Sequence, residues 1–170
     1  MTYTLPILFS SIIFAIIFVL ILPTSLTLGA EYILTKKITP LVALFIAGLS
    51  ILLFVLIILQ LTSSKIELKN DSLFMSSIFY SKSIQFTDIS SVSQTYENGL
   101  PEDYVLNVRK SGVGLTNYWA GNFQLNNGLA AYVLMSSPPY TVVKTNSKEV
   151  YIISINKAFM TALSKKLPSY

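Results

Sequence analysis

Glu102 and Asp103 are the one close pair of carboxylates in the chain, and paired carboxylates are what general acid–base work requires. They follow Gly99-Leu100-Pro101, an evident turn, and adjacent residues on an extended chain point in opposite directions. That arrangement suits a solvated turn, not a proton-transfer pair. The 170 residues include no histidine and no cysteine. The usual general base, the thiol nucleophile and nearly all transition-metal sites are thereby removed. No serine lies in a G-x-S-x-G elbow, and Gly112-Val113-Gly114 lacks the companion residues of a phosphate-binding loop. The chain is read as non-enzymatic, with no cofactor and no metal.

What is left is binding chemistry. From residue 65 onward there are ten Lys plus Arg against seven Asp plus Glu, a modest surplus with no aromatic series interleaved among the basic residues. Nucleic acid is not an expected partner. Arg109 and Lys110 are adjacent, while Lys144 and Lys148 are scattered. Trp119 is the only tryptophan and follows Tyr118. It either packs beneath a sheet or is exposed as an anchor for a partner or a bilayer interface. Tyr118, Trp119, Arg109 and Lys110 form the candidate contact set for a protein partner or an anionic lipid.

Those residues must be positioned by two very different halves. The mean hydropathy of +0.61 is too high for an ordinary soluble globule, and the excess lies at the front. Residues 1–30 and 38–64 contain no charged side chain. Each window exceeds the roughly 20 apolar residues that cross about 30 Å of hydrocarbon as a helix. Two spans are expected, at 5–22 and 41–61, with a connector over 23–40 that opens at Pro23 and closes at Pro40. Glu31 is read there as a solvated loop residue. The leading MTYT lacks Lys and Arg and no A-x-A site follows, so the first span is read as retained. Lys36 and Lys37 in the connector nearly balance Lys65, Lys69 and Lys82 behind the second span. The expectation is a multi-pass cell-membrane protein whose C-terminal domain is cytoplasmic.

From residue 65 the period changes to two. KIELK (65–69), SIQF (83–86), YVLNVR (104–109), NFQL (122–125), AAYVLM (130–135), TVVKT (141–145) and EVYIISI (149–155) read as short strands. Turn residues separate them, with Asn127-Gly128 a hairpin signal in which both central residues would take positive φ. Phe159, Leu163 and Leu167 then fall at four-residue spacing, predicting an amphipathic helix over 157–167 with Asn156 as N-cap and Pro168 as its stop. About seven strands and one helix suggest a small antiparallel barrel or sandwich over 64–170, behind a transmembrane unit at 1–63.

The run GLTNYWAGNFQLNNGLAAYVL (114–134), followed by YTVVKTNSKEVYIISI (140–155) and a closing helix, resembles the bacterial pleckstrin-homology-like (PH-like) families. The pattern falls on Gly114, Tyr118, Gly121, Phe123, Gly128 and Tyr132, and IQFTDISSVSQ (84–94) resembles the link between the third and fourth strands of such domains. The resemblance covers roughly residues 64–168. It implies a membrane-anchored α+β protein, a two-helix transmembrane hairpin followed by a mainly antiparallel PH-like β-barrel with one C-terminal helix. Phe123 and Leu125 would point into that barrel, and Gly114 and Gly121 would hold backbone conformations closed to other residues. The function expected is a non-catalytic interaction module that binds a protein partner or assembles with its own copies. The alternative is a membrane-surface sensor of lipid headgroups. The clustered cations of phosphoinositide-binding relatives are absent.

Overall fold

Thr2–Thr4 form a strand, β1, ahead of the helices, and it pairs antiparallel with β2, Lys65–Leu68, behind them. The computed structural model describes residues 1–93 and 96–167; Gln94 of the expected strand link and Pro168 of the expected helix stop lie outside the described residues. The two ends of the helical hairpin are thus joined by backbone pairing. The Leu5 N–H extends it by donating to Ser64 O at 3.1 Å.

Between them run two helices long and apolar enough to cross a membrane, Phe9–Thr35 and Pro40–Thr62. The first consists of α1 (Phe9–Ala15), a π-helical stretch (Ile16–Ile21) and α2 (Leu22–Thr35); the second is α3 (Pro40–Thr62). The connector expected over 23–40 is mostly helix, because Pro23 does not break the chain. In the wide π turn the Leu22 N–H reaches back to Ile17 O, which relieves the clash a proline ring makes with the preceding turn. The Thr24 hydroxyl donates to Leu20 O at 2.7 Å in the same place. The helix ends at Lys36, whose φ is 57°. Glu31, expected as a solvated loop residue, lies on α2 and its Oε1 accepts the Thr39 N–H at 3.0 Å, tying the two helix ends together.

Apolar side chains cover the outside of both helices. Leu41, Leu44 and Phe45 are each more than 70% exposed, an arrangement that water penalises and hydrocarbon does not.

The rest of the chain is mostly sheet with one helix, α4 (Lys157–Ser164). One sheet has the order β1-β2-β3-β4, with β3 at Ser72–Ser76 and β4 at Ser81–Gln85. The other has the order β5-β9-β10-β8-β7-β6. Its strands are β5 (Ile89–Val92), β6 (Leu106–Leu115), β7 (Tyr118–Leu125), β8 (Ala130–Met135), β9 (Tyr140–Thr145) and β10 (Val150–Ser154). The expected barrel is not closed. The ladder stops at the 3-10 turn Phe86–Asp88, where the chain leaves β4 for the other sheet. Pairing is antiparallel except between β8 and β10, which run parallel.

The main core lies between the sheets. Ile66, Leu73, Met75 and Ile84 meet Ala120, Leu134, Val143 and Ile153, with Phe159 and Leu163 of α4 and Leu61 of α3 in the same cluster. Fully burying Phe159 or Leu163 is worth about 1.5–3 kcal/mol. Asn156 Oδ1 accepts the Phe159 N–H at 2.8 Å and caps α4, which ends short of the expected 167. Phe123 and Leu125 are buried, but not between the sheets. They sit on the far face of the six-stranded sheet with Val133, Met135, Val142 and Ile152, under Tyr96, Leu100, Tyr104 and Leu106. At the β7–β8 turn only Gly128 has positive φ; with Gly128 N–H bonded to Leu125 O, this is a turn closed by a glycine bulge and not the expected primed turn.

Candidate functional site

Tyr118 begins β7 at the end of the sheet nearest α3, and its side chain turns inward, 2% exposed. Gln60, in the last turn of α3, donates from Nε2 to the Tyr118 hydroxyl at 2.9 Å. Ser64 Oγ lies 2.6 Å from the same oxygen and donates to Gln60 O at 2.8 Å. With that Ser64 proton assigned, Tyr118 donates to Ser64, and the three residues close a ring of hydrogen bonds. Gln60 Oε1 accepts the Phe79 N–H at 3.3 Å. Burial raises the Tyr118 phenol above its ordinary range, and hydrogen bonds with Ser64, Gln60 and Ser77 offset part of the rise. Tyr118 therefore does not belong to an exposed contact set. Its hydroxyl is consumed inside the protein, joining the helix to the sheet.

One residue on, Trp119 turns to the opposite face and is half-buried. It lies across from Gly114 and Met135. Gly114 does not have the positive φ expected of it. What its missing side chain leaves is room: a Cβ there would lie 3.5 Å from Trp119 Cδ1 and 3.8 Å from Arg109 Nη1. Arg109 and Trp119 are thus brought together over one glycine. Lys110 is exposed on the same strand, β6. Gly121 does have the expected positive φ (124°), and Gly112, which faces it across β6 and β7, has one too (145°).

Trp119 also forms one wall of an open apolar groove of about 270 Å³ with Leu100, Val105, Leu106, Met135 and Tyr140. The sequence singles out the tryptophan but not the other walls: Val105, Leu106 and Met135 read only as strand residues and Leu100 as part of a turn, and nothing local shows that they converge on Trp119. Nearby, the Lys144 ammonium lies 5.3 Å from the Tyr104 ring centroid, and its pKa is raised, first by hydrogen bonding to Tyr104. Beyond the groove, β6 is the last strand of its sheet among the described residues.

A smaller cleft of about 100 Å³ is bordered by Lys82, Asn122, Tyr132, Glu149 and Tyr151. Tyr151 donates to Glu149 Oε2 at 2.6 Å, while the buried Tyr132 hydroxyl has no hydrogen-bond partner among the described residues. Glu102 and Asp103 form a 3-10 turn at the surface. Among the described residues no three His, Cys, Asp or Glu side chains gather where a metal ion could be held. The chemistry the arrangement offers is recognition by apolar contact, by the β6 edge, which pairs with no further strand among the described residues, and by two cations.

Residues 64–167, more than half of the chain, match the family model of the bacterial PH domain. No curated protein and no solved structure matches the chain.

Proposed function

Because the chain belongs to the bacterial PH domain family, we propose that it is a non-catalytic, membrane-tethered interaction module, binding a protein partner or a second copy of itself at the membrane. The observation that carries this reading is the open groove beside β6, the terminal strand of its sheet among the described residues. The exposed stretch of β6, residues 107–111, offers backbone donors and acceptors to an added strand, and a neighbouring pocket takes one of its apolar side chains. Arg109 and Lys110 on that edge favour an acidic segment.

A photo-crosslinker at Val108, an exposed β6 position, tests it in cells. The expected result is a discrete adduct, lost when Trp119→Ala removes one wall of the groove. Adducts no more frequent than at exposed Leu129, in the β7–β8 turn, would count against it. Headgroup binding is the second reading, favoured by the approach of Arg109 and Trp119 over Gly114. It requires co-purified anionic lipid that is lost in Arg109→Ala, Lys110→Ala protein.

The same proposal places the domain in the cytoplasm. Ser147, exposed in the β9–β10 turn, gives a single labelling site as Ser147→Cys. An impermeant maleimide should label it only after lysis; labelling of intact cells would reverse the orientation.

A further inference from the structure

Ile78 and Phe79 stand at the tip of the β3–β4 hairpin, 45% and 55% exposed. Large apolar side chains exposed behind residue 64 are few among the described residues, the others being Val105, Val108 and Leu129. These two are adjacent, and their height is fixed. The Phe79 N–H donates to Gln60 Oε1, and Gln60 is locked to Tyr118. Ser76 pairs with Lys65, so the tip projects past the start of β2 toward α3. Ile57, Ile58 and Leu61 of α3 pack into the main core, so the end of the domain overlaps the last turns of the helix.

α3 has 23 residues and a length of about 35 Å at 1.5 Å per residue, slightly more than the hydrocarbon thickness of about 30 Å. Gln60, two residues before the end of α3, therefore lies near the boundary between hydrocarbon and headgroups. The lipid-side surface of α3 carries exposed Val55 and Leu59 up to the same level. Ile78 and Phe79 continue it.

We infer that the β3–β4 tip is a third membrane contact, with Ile78 and Phe79 inserted into the bilayer interface beside α3. The inference rests on reading the two long helices as membrane spans. It assigns the exposed apolar pair to lipid and not to a protein partner, and it makes the domain a body seated on the bilayer. The face bearing the Trp119 groove is then held at a constant angle to the membrane.

The absence of native cysteine allows single nitroxide labels on the full chain in bilayer nanodiscs. The variants are Phe79→Cys and, as a second tip site, Ile78→Cys. Leu52→Cys on the outside of α3 serves as the lipid reference and Leu129→Cys as the water reference. Collision rates with oxygen and with a water-soluble nickel chelate are compared. The expected result is a shift toward oxygen at both tip sites, in the direction of Leu52 and away from Leu129. Chelate access at the tip equal to that at Leu129, with Leu52 protected, would overturn the insertion alone. Chelate access at Leu52 as well would overturn the membrane reading beneath it.

Discussion

Gln60 and Tyr118, 58 residues apart, meet through a hydrogen bond of 2.9 Å between the carboxamide and the phenol. Both side chains are buried, and the bond joins the last turn of a membrane-type helix to the first residue of a sheet strand. Asn117 adds a second tie, donating to Ser10 Oγ at 2.8 Å. With β1 paired to β2, the sheet domain has contacts to both long helices.

Removing one partner of this ring strands the others. Tyr118→Phe leaves Gln60 Nε2 without its acceptor and Ser64 without its hydroxyl neighbour, at a cost of about 1–3 kcal/mol. Thermal unfolding in detergent, followed by the single Trp119 next to the site, should show a lower midpoint. The double variant Gln60→Leu, Tyr118→Phe should lose less than the sum of its single variants. Strict additivity would mean that the two side chains are not coupled.

Tyr132 should behave in the opposite way. Its hydroxyl is buried with no hydrogen-bond partner among the described residues, so Tyr132→Phe removes a desolvated group and no bond. The expected midpoint is unchanged or higher, by up to about 1 kcal/mol in stability. A clear loss would show that the hydroxyl is satisfied, by an internal water for example.

Three glycines separate by geometry. A Cβ on Gly121 would run into the Ser111 carbonyl and come within 2.6 Å of Gly112 Cα, and one on Gly112 would run into the Ala120 carbonyl. Both also hold positive φ, which alone costs a side chain about 1–3 kcal/mol. Gly112→Ala and Gly121→Ala should therefore lower expression and unfolding midpoint. Gly114→Ala meets only ordinary contacts, and its stability should stay within about 0.5 kcal/mol of the parent.

Much of this fold is legible in the sequence because it rests on local periodicity. The apolar windows, the alternation in β2, and the stripe Phe159-Leu163 behind Asn156 each need only neighbouring residues to be read. What is missed depends on distant partners. MTYT carries no strand signal of its own and becomes β1 only by pairing with Lys65–Glu67. In Ser72–Ser76 the alternation is masked because Phe74 is shielded by Lys69, whose ammonium lies 3.9 Å from the ring centroid. Pro23 reads as a helix stop because the π turn that accommodates it has no sequence signature. The same holds at the site. Trp119 and Arg109 stand out by type, but their approach over Gly114 depends on strand register. Gln60 stands as the lone carboxamide of an apolar span, and nothing near it in the sequence points to Tyr118 as its partner.

Burial raises the phenols of Tyr3, Tyr118, Tyr132, Tyr140 and Tyr151 above their ordinary range, and at Tyr151 the hydrogen bond to Glu149 raises it further. An unfolded tyrosine loses its proton near pH 10, about the model-peptide value. Above that pH the unfolded chain binds fewer protons than the folded one, so stability falls as pH rises through the folded values and is fully present below pH 10. No histidine or cysteine titrates nearer neutrality. The unfolding midpoint should therefore be flat from about pH 7 to 9 and drop above about pH 10. Tyr132→Phe and Tyr151→Phe should each make the drop shallower. A fall that begins below pH 9, or one that both variants leave unchanged, would show that buried phenols do not set the alkaline limit.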